Sequence, residues 1–91
     1  MKAAYIEKVG PPENIIYGDI PTPQPRDNEV LVKIAAVAVN PVDTYVRSGM
    51  LSFDLPLPFV VGCDLAGVVE TTGPQARRFQ TGDRVWCSNQ G

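Results

Sequence analysis

The segment from Val30 to Gly49, VLVKIAAVAVNPVDTYVRSG, decides which fold this sequence adopts. Its first ten residues place apolar side chains on both alternating faces, and Lys33 is the one charged interruption. This pattern predicts a β-strand from Val30 to Val39 that is central in its sheet and covered on both sides.

The second half of the same segment has the signals of a short helix. Asn40 suits the N-cap, and Pro41 suits the first helical position, where its missing N–H has no consequence. Asp43 falls in the first turn, near the positive end of the helix, and Gly49 can end the helix in a left-handed conformation. The sequence therefore predicts a helix over residues 41–48, placed directly after the strand.

Outside this segment, alternating residues and turn signals predict further short strands. Gly62 and Gly67 interrupt one of them, which indicates a bulge or a close backbone approach. Prolines at 21, 23 and 25 favour an extended connector, and residues 51–59 form an apolar loop. The predicted fold is mainly β, a mostly antiparallel, partly open barrel with one or two short helices. Its other strands are predicted at residues 1–8, 14–20, 60–72 and from 84 to 87.

Composition excludes several classes of function. The 91 residues include 8 basic and 10 acidic side chains, without a cluster of either sign, which disfavours nucleic-acid binding. The longest apolar run, residues 34–39, is far shorter than the ~20 residues that cross a bilayer. Two cysteines cannot form a disulfide framework, so the sequence suits a reducing compartment, and we expect a cytoplasmic protein.

Asn40, Asp43, Tyr45 and Arg47 are candidate site residues because they follow the end of a strand. Spacing alone also explains Asn40 and Asp43 as a helix cap, and the two roles are compatible. Tyr45 can be a core residue with its hydroxyl bonded to backbone, or a phenol that faces a cleft. Arg47 can be an ordinary surface residue or part of the same site.

Cys63 and Asp64 lie in an apolar strand region. A single cysteine there is usually a small buried side chain, but a carboxylate in the same surroundings needs a partner, such as Arg47, Arg84 or backbone amides. The sequence contains no histidine, so it lacks the usual ligand set of catalytic zinc and any Ser–His or Cys–His pair. It also has no G-x-G-x-x-G or Walker A segment to hold phosphates.

Three segments of the chain form a recognisable series: AVAVNPVDTYVRSG (36–49), GCDLAGVVE (62–70) and FQTGDRV (79–85). In this order they resemble the quinone oxidoreductases (zeta-crystallin-like) of the medium-chain dehydrogenase/reductase superfamily. The resemblance implies a GroES-like barrel in which residues 1–91 are the N-terminal part of the catalytic domain, without the Rossmann domain. It further implies an NADPH-dependent enzyme that reduces a quinone or enone, homodimeric in its full-length form.

The resemblance also implies roles for individual residues. Asn40 and Asp43 would lie beside the nicotinamide, Tyr45 would face the cleft as the catalytic residue, and Arg47 and Asp64 would be supporting residues. Zinc-dependent relatives have cysteine at the position of Asn40 and histidine at that of Cys63. No zinc is therefore expected here.

Two other interpretations remain open at this point. A free-standing GroES-like barrel would bind partners or assemble into oligomers, using the apolar loop 51–59 for docking. A zinc alcohol dehydrogenase fragment is the third interpretation. For the leading one, we expect the 91-residue chain alone to be inactive, not to bind NADPH usefully, and to self-associate through open strand edges.

Overall fold

The structure, a computed structural model, describes residues 1–51 and 54–88. It contains five strands, one α-helix and a 3-10 turn at Pro12–Asn14. The predicted loop 51–59 includes residues 52 and 53, which lie outside the described residues. The elements in chain order are β1 (Lys2–Tyr5), β2 (Ile16–Asp19), β3 (Val30–Ala38), α1 (Pro41–Ser48), β4 (Asp64–Thr72) and β5 (Arg84–Cys87).

These elements confirm the mainly β prediction; four of the predicted strands are present in shorter form, and the strand from 84 to 87 has the predicted bounds. The strands form two open sheets, one of two strands and one of three, within the part of the chain that the structure describes. The chain divides into two compact units, Met1–Pro21 with Val39–Gly62 and Thr22–Ala38 with Cys63–Gly91. No helix among the described residues is long and apolar enough to cross a membrane.

The first unit contains the antiparallel pair β1–β2 and helix α1. Its most buried side chain is Ile6, which is fully inaccessible to solvent. The backbone of Ile6 exchanges two hydrogen bonds of 2.9 Å with Phe59, so the segment after α1 is fixed against the end of β1.

The second unit contains the antiparallel sheet β3–β4–β5, with β4 in the middle. Val69 of β4 is only 1% exposed. The predicted turn at residues 81–83 is confirmed, because Asp83 N–H donates to the carbonyl of Gln80 at 3.0 Å. Two further bonds of 2.9 Å, from Gly82 N–H to the carbonyl of Val69 and from Val69 N–H to that of Asp83, join the turn to β4.

The prediction that the strand at residues 30–39 is central and covered on both faces is wrong. Strand β3 is the edge strand of its sheet, and its residues from Lys33 to Ala38 are exposed. Apolar residues on both faces of a strand indicate burial only if another layer covers each face. In this unit β3 has a single neighbouring strand, β4, and the side chains of residues 33–38 remain exposed.

The prediction of a close backbone approach at Gly67 is confirmed. Gly67 lies opposite Ile34 in β3, beside a register shift that leaves Ala35 as an extra residue. A Cβ at Gly67 would collide with the carbonyl oxygen of Lys33. Glycine is required here because the two strands approach more closely than any side chain allows.

Candidate functional site at helix α1

Helix α1 begins at a strongly constrained junction. Asn40 is the N-cap in an extended conformation, and Pro41 occupies the first turn. The Asp43 side chain accepts a hydrogen bond from the backbone N–H of Asn40 at 2.8 Å, and the Asn40 side chain is paired in return with the backbone N–H of Asp43. This capping box confirms the predicted cap and fixes the direction in which the chain enters the helix.

Asp43 is the buried charged residue of the site, with 5% of its surface exposed. A carboxylate at this depth is stable only with hydrogen-bond donors around it, and the Asn40 amide is one of them. Its position in the first turn adds the favourable field of the helix N-terminus. Asp43 is therefore a rigid support for Asn40, and Asn40 itself is half-buried.

The end of α1 is equally well defined. Gly49 adopts φ 84° and ψ 12°, the left-handed conformation that the sequence predicted. Its N–H donates to the carbonyl of Val46 at 3.3 Å, and Met50 N–H donates to that of Tyr45 at 3.1 Å. A Cβ at Gly49 would lie 2.9 Å from a methyl group of Val9, so packing and backbone conformation both favour glycine.

Arg47 links α1 to the turn around Gly10. Its guanidinium donates to the carbonyl of Gly10, and Gly10 N–H donates to the carbonyl of Arg47 at 2.8 Å. The side chain is half-buried, which rules out the simple surface interpretation. Its contacts are those of a residue that holds the helix in place.

Tyr45 has a different environment. Its side chain is 43% exposed, so the core interpretation is wrong. Among residues 1–51 and 54–88 its hydroxyl makes no hydrogen bond, although the backbone carbonyl accepts one from Ser48 at 3.1 Å. The phenol is thus available to a ligand, whereas Asp43 and Arg47 are engaged within the protein.

Cys63 and Asp64 belong to the second unit, where Asp64 opens β4 opposite Ala38. Both side chains are half-buried, and both take part in interactions, as the sequence required for Asp64. In the described part of the chain no three Cys, Asp or Glu side chains come together as a metal site. The zinc-free prediction stays a prediction.

Sequence reasoning missed one prominent side chain, Trp86 of β5. Trp86 is 78% exposed, whereas its neighbour Val85 in the same four-residue strand is half-buried. The only sequence feature that could have drawn attention to it is that it is the single tryptophan in the chain.

The fold and the helix junction together define a class of protein. Residues 26–91 match the alcohol dehydrogenase GroES-like domain, and the chain belongs to that family. This confirms the GroES-like fold that the three sequence segments implied.

Within that family the chain is similar to quinone oxidoreductases. It is 44% identical to the human quinone oxidoreductase over 90 residues, covering 98% of this chain and 27% of that protein. The chain thus spans about a quarter of the length of the curated relatives that it matches.

Solved structures give the same result. A quinone oxidoreductase from Pseudomonas syringae pv. Tomato DC3000 superposes with a TM-score of 0.87 at 40% identity, covering 93% of this chain and 26% of that one. The Escherichia coli quinone oxidoreductase complexed with NADPH gives 0.86 at 31% identity, over 94% and 26%. A cobalt- and zinc-bound thermostable alcohol dehydrogenase from Pyrobaculum aerophilum gives 0.85 at 36%, also over 94% and 26%.

Proposed function

We propose that this chain is the N-terminal, substrate-side part of an NADPH-dependent, zinc-free oxidoreductase that reduces a quinone or an enone. The observation that carries the proposal is the construction of helix α1. A buried carboxylate fixes Asn40 at its start, while the phenol of Tyr45 on the same helix stays exposed. Such a rigid polar junction with one available hydroxyl suits the positioning of a reactant.

The residues present fit the nicotinamide end of NADPH and not its phosphates. Asn40 offers the amide group that would hold the nicotinamide, and Asp43 acts through Asn40 as a positioning residue. The chain has no glycine-rich phosphate loop, so the pyrophosphate would need a further domain. When bound, the nicotinamide would supply the hydride.

The chain's own residues would orient the acceptor and handle a proton. Tyr45 would donate a hydrogen bond, or its hydroxyl proton, to the acceptor's carbonyl oxygen, which becomes a hydroxyl when the carbonyl group is reduced. Arg47 supports this role by holding α1 against the Gly10 turn. Asp64 is a further supporting residue, at the start of β4.

Support for zinc-free chemistry comes from the donor set. A catalytic zinc takes three protein ligands, and the common ligand sets all include histidine, which this chain lacks. The Pyrobaculum structure keeps a zinc enzyme as the second candidate, because its similarity in fold is comparable. Metal analysis of the purified protein decides between them, since stoichiometric zinc would overturn the zinc-free proposal.

The test of the reductase proposal is made in the natural protein that contains this chain. Oxidation of NADPH by a quinone is followed by absorbance. Replacing Asn40 with Ala should lower kcat/KM at least about tenfold, and Tyr45→Phe should lower kcat. Asn28→Ala, in an exposed turn, is the matched control and should leave turnover unchanged.

Wild-type turnover in both site variants would remove α1 from the mechanism. The partner-binding interpretation would then be favoured, because exposed apolar side chains can bind another protein. Met50 and Leu57, which flank the loop after α1, are 70% and 50% exposed.

A further inference from the structure

The C-terminal end of helix α1 is held by a chain segment that lies far from it in the sequence. This segment is Val9–Gly10, here called the 9–10 turn. Gly10 N–H donates to the carbonyl of Arg47 at 2.8 Å, and the Arg47 guanidinium donates to the carbonyl of Gly10. A methyl group of Val9 lies where a Cβ at Gly49 would come within 2.9 Å of it. The 9–10 turn therefore holds the end of α1 through two hydrogen bonds and one packing contact.

Asn14 holds the 9–10 turn itself. Its side-chain amide donates to the carbonyl of Val9 at 3.3 Å. The amide nitrogen also lies close to Gly10, where a Cβ would come within 2.6 Å of it, and Gly10 adopts a φ of 146° that favours glycine. Asn14 is half-buried at the end of the 3-10 turn Pro12–Asn14, and its own N–H donates to the carbonyl of Pro11 at 3.0 Å. Because proline fixes φ, this amide is carried by a stiff segment.

The position of the Tyr45 phenol depends on how both ends of α1 are held. Its hydroxyl makes no hydrogen bond within residues 1–51 and 54–88, so the helix backbone determines where the phenol lies. Tyr45 follows Asn40 by a little more than one helical turn, a distance of about 7.5 Å along the axis. If the C-terminal end were released, a tilt of about 10° would move Tyr45 by about 1 Å. A misplacement of that size can slow a positioned reaction about a hundredfold.

All of these contacts lie inside one compact unit, Met1–Pro21 with Val39–Gly62. They join two segments of that unit to each other, so they do not depend on what covers its surface. The capping box fixes only the start of α1, and the 9–10 turn supplies the long-range contact at its end. Placement of the phenol therefore requires the turn as well as the cap.

We propose that Asn14 is a positioning residue for the Tyr45 phenol, acting through the 9–10 turn and Arg47. The inference rests on the proposed function and deepens it, because it extends the site from α1 to a residue that precedes β2. Asn14 holds the carbonyl of Val9 and so the peptide group of Gly10, and that residue holds the last turn of α1.

The first test is a double-mutant cycle on turnover in the natural protein that contains this chain. Asn14→Ala should lower kcat about fivefold and leave KM within about twofold, because it removes the donor to Val9. In a Tyr45→Phe background the same change should have no further effect, since no hydroxyl remains to be misplaced. An equal loss in both backgrounds would overturn the proposal, because Asn14 would then act on the stability of the protein and not on Tyr45.

An isosteric variant and a matched control accompany the cycle. Asn14→Asp keeps the size of the side chain but cannot donate when ionised, so it should lower kcat at least as much as Asn14→Ala. It replaces Asn14→Ala should circular dichroism show that variant to be unfolded. Asn28→Asp makes the same charge change in an exposed turn of the other unit and should leave kcat unchanged. Wild-type kcat in Asn14→Asp would contradict the positioning role.

Arg47 tests the next contact in the series. Arg47→Met keeps an apolar stem but removes the donor to Gly10, and it should lower kcat about tenfold. Arg47→Lys restores a donor and should recover most of that loss. If Arg47→Lys were as slow as Arg47→Met, the hydrogen bond to Gly10 would not be the link between the 9–10 turn and Tyr45.

The second test follows Tyr45 itself and needs no turnover. The natural protein is labelled with fluorotyrosine, and the fluorine resonances of Tyr45 and Tyr5 are assigned by their loss in Tyr45→Phe and Tyr5→Phe. Asn14→Ala should shift or broaden the Tyr45 resonance, whereas that of Tyr5, half-buried in β1 of the same unit, should stay unchanged. Equal changes at both tyrosines, or no change at Tyr45, would overturn the proposal.

The two tests separate this inference from the reductase proposal. If the protein does not oxidise NADPH but its Tyr45 resonance responds to Asn14→Ala, the reductase proposal is rejected and the positioning role is kept. If a quinone does drive NADPH oxidation but the Tyr45 resonance does not respond, the positioning role is rejected and the reductase proposal is kept.

Discussion

Helix α1 and the sheet β3–β4–β5 differ in how far apart in sequence their deciding contacts lie. In α1 the cap joins residues 40 and 43, and the terminating glycine bonds back to residues 45 and 46. In the sheet, position 67 must be glycine because the carbonyl oxygen of Lys33 lies too close for a Cβ. Trp86 stands in one cross-strand row with Ala66 and Ala36. Local contacts can be inferred from spacing, whereas contacts over 30 to 50 residues depend on register. Four substitutions test this contrast.

The largest expected effect falls on the long-range contact at Gly67. Gly67→Ala should lower the free energy of unfolding by about 3 kcal/mol, because the new methyl group meets the carbonyl of Lys33 and the strands must separate. Urea denaturation measures the change. The matched control is Gly18→Ala in β2, where a Cβ would find its neighbours at an ordinary 3.6 Å. Equal effects in both variants would show that the collision with Lys33 is not what requires glycine at position 67.

A smaller effect is expected at the buried cap of α1. Asp43→Ala should cost about 2 kcal/mol, because the N–H of Asn40 loses its acceptor in a buried place. Asp83→Ala removes the same kind of bond, 2.9 Å from Gln80 N–H, in an exposed turn. There water replaces the carboxylate, and we expect about 0.5 kcal/mol. If thermal or urea denaturation ranked Asp83→Ala as the more damaging change, burial would not be the reason for the stability of the cap.

The helix end should respond less than the cap. Gly49→Ala places a side chain in the left-handed region and should cost about 1 to 2 kcal/mol. Making Gly49→Ala in a Val9→Ala background removes the methyl group at 2.9 Å, so the cost relative to Val9→Ala alone reports the backbone conformation. No cost of Gly49→Ala in that background would mean that packing alone requires glycine.

The smallest effect is expected at the surface ion pair Lys2–Asp19. The side chains are 61% and 70% exposed at an N···O distance of 2.8 Å, so solvent and salt screen their attraction. Asp19→Asn should change stability by no more than about 0.5 kcal/mol, and the difference should vanish at high salt. A loss above about 1 kcal/mol that persists in high salt would contradict this assignment.

The sequence predicted most of the elements because their signals are local. Asn40, Pro41 and Gly49 defined both ends of α1 within one residue, and the turn at residues 81–83 followed from its glycine and aspartate. Gly67 could be assigned to a bulge or a close approach because glycine weakens a strand interior unless the backbone needs the missing side chain.

The candidate site was only partly predictable. The spacing identified Asn40 and Asp43 as candidates but could not tell which contacts a ligand and which supports the other. Because Asp43 is buried, it is the supporting residue. It left Tyr45 open between core and cleft, since one residue on a two-turn helix carries too little periodicity to assign its face. Trp86 was missed because being the only tryptophan does not indicate exposure, and a strand of four residues carries too little periodicity to assign a side chain to one face.

The sequence by itself determined the strands and the capped helix, because capping, turn chemistry and strand alternation act between residues near in the chain. It indicated the family through the resemblance of three of its segments. Tertiary structure alone decided that β3 is an edge strand, that Asp43 is buried, and that Ala36, Ala66 and Trp86 share one row. The physical reason is register. Moving a strand by one residue keeps every local preference intact and yet transfers all of its side chains to the other face.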